Sequence, residues 1–121
     1  MKCAYFRDDL CSSCPSIETA YTAQVQAKQE HARALLANYP QLQWLDPVTS
    51  AEAGFRNKAK LVVGGSAKNP TLGIVDYRTG ASTDLSECPL YMEPIQAAIP
   101  VLHELIRRAD LTPYDIPNRR G

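Results

Sequence analysis

The apolar positions along the chain change period from one stretch to the next, and each period predicts a different element. From Ile17, after Pro15-Ser16, the apolar or amphipathic residues Ile17, Tyr21, Val25, Ala32, Leu35, Leu36 and Tyr39 recur at steps of three, four or seven. That spacing lines one face of an α-helix, so a helix of about six turns is predicted, stopping before Pro40. Between Phe55 and Val63 the period shortens to two, with Phe55, Asn57, Ala59, Leu61 and Val63 on one side and Arg56, Lys58, Lys60 and Val62 on the other. This is the alternation of a strand, here with a basic face.

Gly64-Gly65-Ser66-Ala67-Lys68-Asn69-Pro70 is dense in turn formers, and the stretch from Thr71 to Tyr77 then offers Leu72-Gly73-Ile74-Val75 as a partner strand, giving an antiparallel hairpin with a long loop. After the turn Arg78-Thr79-Gly80, Ile95, Ala98, Ile99, Leu102, Leu105, Ile106 and Ala109 mark a second amphipathic helix, which Pro100 either kinks or opens. Gln41 to Val48 has strand character around Trp44 but is broken by Pro47, and the segment from Leu111 to Gly121 reads as cut rather than finished. The fold class expected is α+β: an N-terminal loop, an antiparallel hairpin or sheet, and two amphipathic helices.

Charge and length narrow the function classes. Thirteen basic and thirteen acidic residues in 121 balance to a formal charge of zero, so any nucleic-acid surface has to be local. The opening Met1-Lys2-Cys3-Ala4-Tyr5-Phe6-Arg7-Asp8-Asp9 has no apolar run of the signal-peptide kind, and no later stretch approaches a membrane span. A cytoplasmic protein without membrane contact is the expectation. In a reducing compartment four cysteines point to metal, catalysis or buried thiols more than to disulfides.

Cys3, Cys11 and Cys14 fall in the first fourteen residues, in a stretch with neither helical nor strand period, and 73 residues separate Cys14 from Cys88. Two thiolates separated by two residues can turn toward one metal centre, a loop can bring Cys3 there, and Cys88 can close the set from a distant segment. Four soft thiolates suit an iron–sulfur cluster or tetrahedral zinc, and the prolines that follow Cys14 and Cys88 stiffen the chain leaving each ligand. Spacing alone leaves cluster, zinc and unliganded thiols open.

Cys3, Cys11-x-x-Cys14, the run Gly54-Phe55-Arg56-Asn57-Lys58-Ala59-Lys60-Leu61-Val62-Val63, Cys88-Pro89-Leu90-Tyr91 and Leu111-Thr112-Pro113-Tyr114 together resemble the bacterial RNA uracil-5-methyltransferases. The likeness runs in order through almost the whole chain. It implies that Cys3, Cys11, Cys14 and Cys88 ligate a 4Fe-4S cluster. It also implies that residues 1–15 form the cluster-binding segment, that residues 16–121 form part of a central RNA-binding α+β domain, and that the partner is 23S rRNA. Reaching Cys3 at once, with no β-barrel domain ahead of it, is similar to the branch that modifies a uracil of the 747 type.

Family members continue into a Rossmann-like domain that binds S-adenosylmethionine and carries the nucleophilic cysteine and a catalytic carboxylate. There, as the resemblance implies, a thiolate adds to C6 of uracil, C5 takes the methyl group, and a base removes the C5 proton so that the enzyme is released. This sequence stops before that domain and has no glycine-rich nucleoside fingerprint, so no catalytic residue is assigned and the chain alone is expected to be inactive. A stand-alone iron–sulfur electron carrier and a zinc-stabilised RNA-binding module are the alternatives, and no protein partner is implied.

Arg56, Lys58 and Lys60 are the candidate RNA contacts, because cations at two-residue spacing on one strand face can meet successive phosphates. An exposed strand face that merely carries solvating charge is the competing reading. Phe55 shares its side with Ala59, Leu61 and Val63 and is expected in the core; His31 and His103 read as surface or boundary histidines, and Trp44 as a packing residue.

Overall fold

The computed structural model describes residues 1–76, 78–115 and 118–120. A single helical turn, α1 (Ala4–Arg7), and a longer helix, α2 (Tyr21–Leu35), precede three strands, β1 (Val62–Gly65), β2 (Pro70–Val75) and β3 (Ser82–Asp84), and a last helix α3 (Glu93–Arg108). The strands form one antiparallel meander in the order β1-β2-β3, with Val63 opposite Leu72 and Gly73 opposite Asp84. The α+β class therefore holds.

The core sits where α3 lies against the sheet. Ile99 and Ile106, seven residues and so about two turns apart, put one stripe of α3 onto Leu72 and Tyr91, with Ala59, Leu61, Val63, Ile95 and Cys88 packed around them. Pro94 occupies the first turn, where a missing N–H costs little, and Arg107 and Arg108 stand in the last turn against the negative end of the helix dipole. Glu104 ties both arginines down at 2.9 and 2.6 Å. Pro100 does not open the helix but lies inside it.

Several elements differ from their sequence expectation. The predicted strand over residues 55–63 is not one strand. Gly54 and Arg56 donate their N–H groups to the Pro89 and Leu90 carbonyls at 2.9 and 2.8 Å, and the Met92 N–H donates to the Arg56 carbonyl at 3.1 Å. This short parallel pairing draws Arg56 toward the residues after Cys88, and only from Val62 does the chain join the sheet. Ala59, Leu61 and Val63 still face the core, whereas Phe55 is 48% exposed.

Gly64 and Gly65, read as loop, belong to β1 and pair with Thr71 and Pro70; the turn is residues 66–69, closed by the Ser66 N–H on the Asn69 carbonyl. The partner strand spans the expected Leu72-Gly73-Ile74-Val75 and ends at Val75; Tyr77 lies outside the described residues, as do Pro117 and Gly121 of the tail. β3 carried no apolar period.

Helix α2 begins four residues later than the periodicity predicts. The Gln24 amide donates to the Ser16 and Thr19 carbonyls at 2.9 and 2.8 Å, holding the approach to the helix as turns. At the other end the bonds from Ala37 to Ala34 and from Tyr39 to Leu36 tighten to three-residue spacing ahead of Pro40. The helix buries none of its residues fully. Its alanine, glutamine, lysine and arginine content favours the helical state without a core-facing stripe.

Candidate metal centre and adjoining cleft

Each cysteine is carried by a short, hydrogen-bonded piece of backbone. Cys3 is the extended residue that starts α1, and its carbonyl accepts the Arg7 N–H at 3.1 Å. Asp9, with a φ of 55°, turns the chain back, so that the Tyr5 carbonyl accepts N–H groups from both Leu10 and Cys11. The Cys14 carbonyl accepts from Ile17, and Cys88 sits in a turn between Leu85 and Tyr91. Across the chain, the Glu87 N–H donates to the Tyr5 hydroxyl at 3.1 Å, fastening α1 beside Cys88. The N-terminal segment read as loop thus contains one helical turn, and Tyr5 of that turn ties it to the segment of Cys88.

All four thiols are half-buried and none is in a disulfide. They line one enclosed pocket of about 30 Å³ together with apolar side chains that include Phe6, Ile17, Leu85 and Leu90. Burial pushes the Cys14 thiol up, the neighbouring Cys88, Cys11 and Cys3 push in the same direction, and Arg56 opposes them. Cys14 is therefore within electrostatic reach of the other three cysteines.

Among the described residues, no group of three or more His, Cys, Asp and Glu side chains is arranged to hold a metal ion. Sharing a pocket and standing at ligand distance are different conditions, and the four cysteines meet the first. Their donor chemistry fits a soft, thiophilic centre: four sulfurs, an apolar surround and no carboxylate in the pocket lining.

Of the predicted RNA contacts, Arg56 is half-buried and lines the cysteine pocket, while Lys58 and Lys60 are exposed and line neither that pocket nor the cleft beside it. The three cations are thus not one strand face. The cleft, about 560 Å³, runs between the start of α2 and the 50–56 segment, and Arg56 belongs to its wall as well. The Tyr21 hydroxyl accepts the Ser50 N–H at 3.0 Å and joins the two sides.

A second cluster lies in the segment that leads to Cys88. The Asp84 carboxylate accepts N–H groups from Leu72 at 3.1 Å and Ser86 at 2.8 Å, and the His103 imidazole lies 3.1 Å from the Ser86 hydroxyl and 3.4 Å from Asp84. Burial pushes the Asp84 carboxyl up, but the hydrogen bonds from Ser86 and Leu72 and the nearby His103 together hold it below the usual carboxylate range. His103 is a boundary residue, as expected. Tyr5, Lys28 and Asp84 carried no sequence signal, since their partners lie in distant segments or are backbone groups.

No family model and no solved structure matches the chain. Curated relatives do. A 23S rRNA (uracil(747)-C(5))-methyltransferase RlmC of Serratia proteamaculans is 42% identical over all 121 residues, and the proteins of that name from Yersinia pestis (strain Pestoides F) and Yersinia enterocolitica are 43% and 42% identical over the same span. The chain covers 32% of the length of each of these relatives. It is homologous, from end to end, to the N-terminal third of the RlmC-type 23S rRNA uracil-5-methyltransferases.

Proposed function

We propose that this chain is the N-terminal part of a cytoplasmic, S-adenosylmethionine-dependent methyltransferase that modifies C5 of a uracil in 23S rRNA, and that Cys3, Cys11, Cys14 and Cys88 hold its 4Fe-4S cluster. The observation that carries the reading is the meeting of these four cysteines in one pocket, in a chain alike throughout to enzymes of that name. When bound, the cluster supplies a cross-link between the N-terminal loop and the segment around Cys88. The cysteines are its ligands and not nucleophiles, so the chain alone is inactive.

Arg56, Lys58 and Lys60 contact RNA, the two lysines as exposed phosphate partners. No helix of the described residues is long and apolar enough to cross a membrane.

Anaerobic purification followed by visible absorption and by iron and sulfide analysis tests the cluster. Iron and sulfide in equal amounts are expected, and Cys88→Ser is expected to lose most of both. A colourless protein with zinc and no sulfide would make it the zinc-stabilised module, and equal iron in wild type and Cys88→Ser would remove the distant ligand. Rapid reversible redox cycling in an anaerobic titration would point to an electron carrier instead. For the RNA face, Lys58→Glu should weaken binding of an rRNA hairpin and leave the iron content unchanged.

A further inference from the structure

The cleft between the start of α2 and the 50–56 segment adjoins the cysteine pocket, sharing Cys14, Arg56 and Leu90 with it, but holds none of the other three cysteines. We propose that it receives one unpaired nucleotide of the RNA, with the phosphate on Lys28 and Arg56 and the base against the ring of Phe55. The proposal rests on the RNA reading above and narrows it to a place.

At about 560 Å³ the cleft has the capacity of a small-ligand site and is far too small for an RNA duplex. Its walls are fixed: the Tyr21–Ser50 bond joins them, Gln24 fastens the turns that lead into α2, and the Arg56 backbone is bonded on both sides to Leu90 and Met92. The Tyr21 oxygen already accepts from Ser50, so its own proton remains to be donated.

Charge selects an anion. Lys28 and Arg56 both line the cleft, and neither is in an ion pair among the described residues. The one carboxylate in the lining, Glu52, faces the amino group of Met1 at 3.5 Å. Phe55 supplies the rest. Its neighbours in the alternating run pack into the core, whereas its ring stays 48% exposed on the cleft, as a stacking platform requires. Two unpaired cations and an open aromatic ring are the elements that hold a single-stranded nucleotide.

The test uses the 121-residue chain purified anaerobically, with fluorescence anisotropy on two RNAs: an rRNA hairpin with an unpaired uridine loop, and a fully paired duplex of equal length. Phe55→Ala should weaken loop binding roughly 5- to 150-fold, the range one stacked base supplies, and leave duplex binding unchanged. Lys28→Glu should weaken loop binding and lower the slope of log affinity against log salt by at least about one. A loop carrying 4-thiouridine should cross-link to peptides containing Phe55. Iron content and circular dichroism unchanged from wild type establish that the variants fold.

If Phe55→Ala and Lys28→Glu bind the loop as wild type does, while Lys58→Glu and Lys60→Glu weaken it, RNA lies on the exposed lysines and the cleft proposal is wrong although the RNA reading stands. If wild type binds neither RNA, the RNA reading fails and the cleft with it. A cross-link only to peptides remote from the cleft would equally overturn the placement, leaving the cleft to a protein segment.

Discussion

Tyr5 does more to assemble the cysteine pocket than any residue that is not itself a cysteine. Its backbone carbonyl takes the Leu10 and Cys11 N–H groups, and its side-chain hydroxyl takes the Glu87 N–H, so one residue links the segments of Cys3, Cys11 and Cys88. Tyr5→Phe keeps the ring and removes only the acceptor. The loss of one hydrogen bond, about 0.5–1.5 kcal/mol, should appear as a several-fold faster release of iron to a chelator under anaerobic conditions. An unchanged release rate would mean that the N-terminal turn is held by the cysteines alone.

Asp84 holds the backbone of Leu72 and Ser86, and its depressed carboxyl gives a pH dependence of known sign. Because the folded state favours the charged form, its contribution is fully present above the unfolded carboxylate pKa and is lost as pH falls through the lower folded value. Asp84→Asn should therefore lower the unfolding midpoint at neutral pH and narrow its difference from wild type as the solution is acidified through the carboxylate range. A constant difference between the two proteins across that range would mean the carboxylate charge is not the source.

At the scale of elements, Gly73 shows how closely the sheet and the cysteine segment are built together. A Cβ there would meet the Thr83 carbonyl oxygen and the Leu85 nitrogen, both backbone atoms, so neither neighbour can swing aside. Gly73→Ala should cost about 1–3 kcal/mol, read by denaturant unfolding, and should also reduce iron retention, because Leu85 leads directly into the turn of Cys88. Pro100 offers the opposite case, an exposed proline inside α3. Pro100→Ala restores a helical N–H and should raise the thermal midpoint by several degrees, partly offset by the looser unfolded chain.

These elements also show what the sequence could carry. The period of α3 and the hairpin of β1 and β2 were legible because each buries one face on the other, which forces apolar residues into a regular spacing. β3 was not, since a three-residue edge strand of serine, threonine and aspartate buries no large side chain and leaves no period to read. Phe55 was misplaced for a related reason. It continues the alternation of Ala59, Leu61 and Val63, but the backbone at Gly54 and Arg56 is bonded to the Pro89–Met92 stretch and so has left the plane of the sheet. The cysteine set was legible from composition and spacing, whereas Tyr5 and Lys28 depend on contacts across distant segments that have no local pattern.

The whole molecule divides unevenly between these two kinds of support. Among the described residues, every buried large apolar side chain lies between Leu72 and Ile106, and none of residues 1–61 is buried. Apart from Ala59 and Leu61, which pack at the edge of that core, the first half is joined to it by a few hydrogen bonds, Tyr5 to Glu87 and the pairing of Gly54 and Arg56 with Pro89, Leu90 and Met92, and by the shared pocket of the four cysteines. Each such bond contributes about 0.5–1.5 kcal/mol, so local opening of residues 1–15 is inexpensive without a cross-link to Cys88. Hydrogen exchange should therefore separate the two parts when iron is removed or when Cys88 is replaced by serine. Amides of residues 1–15 are expected to lose protection first, those near Gly54 and Arg56 next, and those of β2 and α3 only with global unfolding. Equal loss of protection in α3 would mean that the proposed cluster supports the core itself; unchanged protection in residues 1–15 would mean that the pocket is fully formed by its hydrogen bonds.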